Sequence, residues 1–166
     1  MSINIQEKFK QMSLGEKIIL IAAPLLLIDS FLPWYHISVD FGFGLGSVSA
    51  NRSGWQSPGA LWSIIAVLAA IVMFAQIALA RFSTVQMPAL PQGLTWPRVH
   101  AGLAGLAVLC VLIKLVNESS HLGFGFFLGI ILVAALAVGA GLMFQAERGG
   151  MMGGGMSSGG TPKSTM

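Results

Sequence analysis

Charge is what this chain most lacks. Aspartate, glutamate, lysine and arginine make up only 9% of its 166 residues, against roughly 25% in a soluble domain. That deficit excludes an ordinary water-soluble globule. Cysteine is nearly absent: Cys110 is the only one, so no intramolecular disulfide forms. The nine basic residues are spread over the chain without a run, which argues against nucleic-acid binding. Histidines and acids are equally scattered. No Ser-His-Asp arrangement, phosphate loop or metal-spaced cluster appears, and the sequence points to no enzyme and no cofactor.

Apolar residues are abundant instead, at 55% of the chain with a mean hydropathy of +0.80. They gather into four long stretches between Ile18 and Phe144. An all-α membrane protein follows: a bundle of four transmembrane helices with spans at about 18–34, 60–80, 99–116 and 122–144. Lys8, Lys10 and Lys17 before the first stretch resemble the start of a signal peptide, but no small-x-small cleavage site follows, so it reads as a retained helix. The domain reading is an interfacial segment at 1–17, a transmembrane domain at 18–145, and a disordered Gly/Met-rich tail at 146–166.

Local signals place the ends. Ile5, Phe9 and Met12 recur at helical spacing, as in a short helix on the membrane surface. Ser13-Leu14-Gly15-Glu16 fits a capping box opening the first span. Pro24 should kink that span. Trp34, Tyr35 and Trp55 are expected as interface anchors. Ser57-Pro58 suits the start of the second span, and Pro97 that of the third. In the loop 35–57, Ile37, Val39, Phe41, Phe43 and Leu45 alternate with small or polar residues, and Gly46-Ser47 offers a turn toward Val48–Ala50. A short β-hairpin is predicted there.

Orientation follows from lysine and arginine. With the N-terminus inside, Lys8, Lys10, Lys17, Arg81, Arg98, Arg148 and Lys163 are inner, and only Arg52 and Lys114 are outer. The bias predicts a multi-pass plasma-membrane protein with both termini cytoplasmic and loop 35–57 outside.

Leu14-Gly15-Glu16-Lys17, Phe31-Leu32-Pro33-Trp34-Tyr35 and Gly54-Trp55 together resemble a group of small uncharacterised bacterial membrane proteins common in actinobacteria. The resemblance covers about residues 7–145. It implies four spans, a Gly-Glu-Lys start and a Leu-Pro-Trp exit of the first helix, and no activity. The layout is also similar to claudin-like tetraspans, without their paired loop cysteines or Gly-Leu-Trp motif; that likeness concerns architecture alone.

Asp29 and Lys114 are the formal charges inside the spans. By helical rise they lie about 7.5 Å and about 4.5 Å below the same interface. An ion pair between the first and third helices is a candidate. A buried ionisable pair can mark an ion or proton relay. The competing and favoured account is structural: Lys114 snorkels to the headgroups and Asp29 bonds to backbone or water. His36, His100 and His121 are read as interfacial residues rather than haem or metal ligands, since they share no common depth as a set. Met151, Met152 and Met156 suit Cu(I) by softness, but glycine-rich chain gives them no geometry, and a flexible tether is preferred.

Small residues four apart mark helix-packing faces: Ala66 with Ala70, Ala101 with Gly105, Gly125 with Gly129, Ala135 with Gly139, and Ala137 with Gly141. The expected function is a non-enzymatic structural or accessory subunit in the lipid bilayer, associating with another membrane protein or with itself. The alternative is a small oligomeric transporter or channel using Asp29.

Overall fold

The computed structural model describes residues 5–42, 46–56, 59–118 and 122–153, and the side chains of these through residue 150. Phe43, Leu45, Ser57-Pro58, His121, Met156 and Lys163 lie outside the described residues, as do the side chains of Met151 and Met152. The chain is mostly helical. Helix α1 (Ile5–Gln11) leads into α2 (Leu14–Asp29), followed by strands β1 (Pro33–Asp40) and β2 (Ser47–Ser53). Helices α3 (Ala60–Phe82), α4 (Trp96–Asn117) and α5 (Phe124–Gly153) complete the order.

Three helices, α3, α4 and α5, are long and apolar enough to cross a membrane, which marks a membrane protein. Helix α2 is shorter, 16 residues or about 24 Å. It meets α1 at a bend of 120°. Ser13 causes that bend by starting a new helix. Its N–H donates to Glu16 Oε2 at 2.8 Å, and the Glu16 N–H donates back to Ser13 Oγ at 3.3 Å. The capping box is therefore formed, and it satisfies donors that a helix start leaves free.

The far end of α2 corrects the expected span of 18–34. The helix stops at Asp29 with Ser30 as its C-cap. Pro33 explains this: it has no N–H to continue the ladder, and it pushes Leu32 out of helical geometry. Trp34 and Tyr35 then fall in β1, where they are 0% and 2% exposed. They are core residues, not interface anchors. Pairing of β1 with β2 is antiparallel, with Tyr35 opposite Arg52, Val39 opposite Val48 and Asp40 opposite Ser47. The hairpin thus starts four residues before Ile37. Gly42 and Gly46 flank the turn at φ values of 65° and 94°, a region that favours glycine.

Helices α2 to α5 pack in a ring: α2 touches α3 and α5, and α4 touches α3 and α5. The core runs through Ile19, Leu26, Met73, Ile77, Ala107 and Leu136. On α4 the packed small residues are Ala104 and Ala107. Gly105 is exposed, so the expected Ala101–Gly105 face is corrected by about one residue of helical rotation. Ala66, Ala70, Gly125, Gly129 and Gly139 are buried, while Ala135 is half-buried. Helix α5 also outruns the expected end at Phe144, reaching Gly153. Glu147 accounts for that extension, because it accepts from Thr95 Oγ1 at 2.9 Å and lies 3.6 Å from Arg98.

A candidate functional site at the root of the hairpin

The most polar part of the interior lies where the hairpin meets the helices. Glycines just before and at the start of α5 make the approach close. A Cβ at Gly123 would stand 2.6 Å from the Pro33 carbonyl, and one at Gly125 would stand 2.8 Å from Trp34 Cδ1. Through this gap the Gly123 N–H donates to the Trp34 carbonyl at 2.7 Å. Tyr35 also forms an isolated bridge with Leu122. The hairpin root is thereby fixed to the start of α5 by backbone hydrogen bonding as well as by side chains.

Lys114 is the centre of this region and is 1% exposed. Its Nζ donates to the Gly59 carbonyl at 3.2 Å and to Ser63 Oγ. The same ammonium sits 5.3 Å from the Trp34 ring centroid and 5.0 Å from that of Tyr35. Two acceptors and two aromatic faces replace part of the hydration it loses on burial. One helical turn further on, Glu118 accepts from the Tyr35 hydroxyl and fills the space a side chain at Gly59 would need. Burial, and then the Glu118 carboxylate, push the Tyr35 phenol far above its ordinary pKa.

The expected Asp29–Lys114 pair is not formed. Among the described residues, the side-chain ion pairs are Arg81–Glu16 and Arg98–Glu147. Lys114 neither snorkels nor reaches Asp29, because Ser63 and Gly59 on the α3 side hold it. Asp29 is 1% exposed, and neither carboxylate oxygen has a hydrogen-bond partner among the described residues. Its backbone carbonyl accepts from Trp34 Nε1 and from the Leu32 N–H, each at 2.9 Å. Trp55, the third expected anchor, is half-buried; its Nε1 donates to Ser30 Oγ at 2.8 Å and its ring stacks on Phe31 at 5.7 Å.

The opposite end carries a second polar group that sequence reading missed. Arg81 Nε and Nη2 donate to the Glu16 carboxylate at 2.7–2.9 Å, tying the start of α2 to the end of α3. Glu16 serves both the cap and this ion pair, its two oxygens meeting the Ser13 N–H and the Arg81 guanidinium. His100, on α4, is 0% exposed, with neither ring nitrogen bonded among the described residues; it is a core residue rather than an interfacial one. His36 lies on the hairpin, its Nδ1 2.8 Å from Asn51 Oδ1. Among the described residues no group of three His, Cys, Asp or Glu side chains is placed to hold a metal ion.

Ser63 with Lys114 is the one nucleophile–base pairing at the root, a combination some hydrolases use. Ser63 is 2% exposed, beneath the ammonium it accepts from, so a substrate carbonyl has no approach to it. One lysine of α4 thus ties β1 and the start of α3 to α4. No family model, curated protein or solved structure matches this chain.

Proposed function

We propose that this chain is a non-enzymatic accessory subunit of the plasma membrane that presents the β1–β2 hairpin to another membrane protein or to a second copy of itself. In this reading α2 serves as a fourth span, shortened at the hairpin end and continued by the bent α1 at the other. Both termini are cytoplasmic. The charges support that orientation: Lys8, Lys10 and Lys17 stand in or beside α1 and the start of α2, with Arg81, Arg98 and Arg148 at the same end of the other helices. The hairpin end would then be outside.

The observation that carries the proposal is the contrast along the hairpin. Its root is buried and cross-braced, whereas its far half exposes Val39 (51%), Phe41 (57%) and Val48 (60%). A two-stranded sheet alone is marginal in water, and here a braced base carries an exposed apolar far half. Such an arrangement suits strand addition or side-chain docking by a partner.

The test is affinity purification from gently solubilised native membranes, comparing the native chain with Val39→Ser/Val48→Ser. These two residues face each other across the hairpin, away from the root. A stoichiometric partner, or a homo-oligomer, should accompany the native chain and be lost from the variant at unchanged thermal stability. A native chain recovered alone and monomeric would overturn the proposal.

A further inference from the structure

Asp29 raises a question that the hairpin does not answer. Its two oxygens are buried without a donor, and an uncompensated carboxylate in an apolar interior is expensive. Among the described residues Asp29 takes part in no ion pair. Lys114 is held by Ser63 and Gly59, while Arg81 and Arg98 serve Glu16 and Glu147 at the other end. A cation arriving from outside the chain would compensate it.

A cleft runs beside it. Asp29 lines a cleft of about 160 Å³ between α2 and α5, whose other walls are Leu25, Ile28, Leu32, Leu128 and Leu132. Its Oδ2 points across the seam, 3.0 Å from where a Cβ on Gly129 would stand. The absence of a side chain at Gly129 leaves that oxygen room. At the mouth, Leu25, Ile28 and Leu32 are 47%, 62% and 38% exposed, so the cleft opens on the apolar outer surface of the helices rather than at their polar ends.

We propose that this cleft binds an amphiphilic primary ammonium dissolved in the bilayer, its charged head on the Asp29 carboxylate and its hydrocarbon body against the leucines. Charge complementarity selects the head: one acid, no base and no other polar side chain line the site. The lining selects the body. A cavity of about 150 Å³ with Leu, Ile and Phe walls stays dry and takes benzene, so a hydrocarbon body of similar bulk fits here. An inorganic cation would have to shed its water for a single carboxylate, whereas hard cations take several oxygen ligands. An aminophospholipid would bring a phosphate against that same carboxylate with no basic side chain to receive it. The inference is independent of the accessory role, since it uses no residue of the exposed hairpin tip.

The experiment is native mass spectrometry of the full chain in non-ionic detergent, titrated with n-octylamine, with n-octanol as the uncharged control. One saturable octylamine adduct per chain is expected, and octanol at equal concentration should not displace it. Asp29→Asn, which keeps size and shape, should weaken the adduct about tenfold or more, equivalent to about 1.4 kcal/mol. Leu128→Trp fills the cleft from α5 without touching the acid and should abolish the adduct. This second variant decides the matter if Asp29→Asn fails to fold by circular dichroism. Octylamine binding undiminished in a folded variant of either kind would overturn the proposal, as would octanol binding equally well, which would reduce the cleft to a groove for acyl chains.

Discussion

At the scale of single residues, Tyr35 and Lys114 carry the testable physics of the hairpin root. Tyr35 is the only tyrosine in the chain, so the ultraviolet tyrosinate band reports it alone. Burial first, and then the neighbouring Glu118, raise its pKa. A raised folded-state pKa means that the folded chain holds the proton more tightly than the unfolded one. Stability from this group is complete below about pH 10, where a free tyrosine titrates, and declines as the pH rises further. Alkaline titration in detergent should therefore show no tyrosinate before unfolding, and Tyr35→Phe should flatten the decline in melting temperature above that pH. Tyrosinate appearing at the ordinary value in folded protein would contradict the burial of this ring. Lys114 invites a mutant cycle. Because its ammonium rests on Ser63, Lys114→Met and Ser63→Ala should couple by on the order of 1 kcal/mol. Lys114→Met with Asp29→Asn should couple by less, since those two side chains do not pair; the reverse ranking would restore the ion pair that the sequence suggested.

Between helices, glycine decides how closely backbones approach, and spacing does not reveal which glycines matter. A Cβ at Gly139 would meet Ile19 Cγ1 at 2.8 Å and the Gly15 carbonyl at 2.9 Å, so α2 and α5 cross there with no room for a methyl group. Gly139→Ala should cost about 1–3 kcal/mol by overpacking. Gly105 has open space where its Cβ would go, so Gly105→Ala should be neutral or stabilising by up to about 1 kcal/mol through helix propensity. Thermal unfolding of the two variants checks the contrast, and equal losses would remove it. Both glycines stand in the same small-x-x-x-small pattern. The pattern was legible; the face it lay on was not, because the rotation of a helix is set by its neighbours. The same limit explains Trp34 and Tyr35. A proline followed by two aromatics reads equally well as a helix exit into a membrane interface or as a strand entering a core. Helices α3 and α4 were legible to within two or three residues at their ends, since an unbroken apolar run bounded by charge or proline admits little else. The capping box was legible because it is local, and the partners of Lys114, Glu16 and Glu147 were not because each lies 49 or more positions away.

For the whole molecule, the decisive asymmetry is between its two ends. One end gathers the exposed cations of α1, α3, α4 and α5, partly paired with Glu16 and Glu147. The other buries its lysine and raises a hairpin. If the cation-rich end faces the cytoplasm, the hairpin is outside, and chemistry on intact cells can decide it. Cys110 is 1% exposed, so the native chain should be silent to an impermeant thiol reagent and need not be altered first. Ser49 lies on β2, exposed and opposite Ser38; Ser49→Cys should be labelled on intact cells. Ser164→Cys, near the C-terminus, should be labelled only after the membrane is opened. The pair matters more than either variant, because labelling of both on intact cells would signal leaky cells rather than topology, and a silent Ser49→Cys with a labelled Ser164→Cys would invert the molecule. Inversion would also remove the outside partner from the proposed function, while leaving the Asp29 cleft, buried between α2 and α5, where it is.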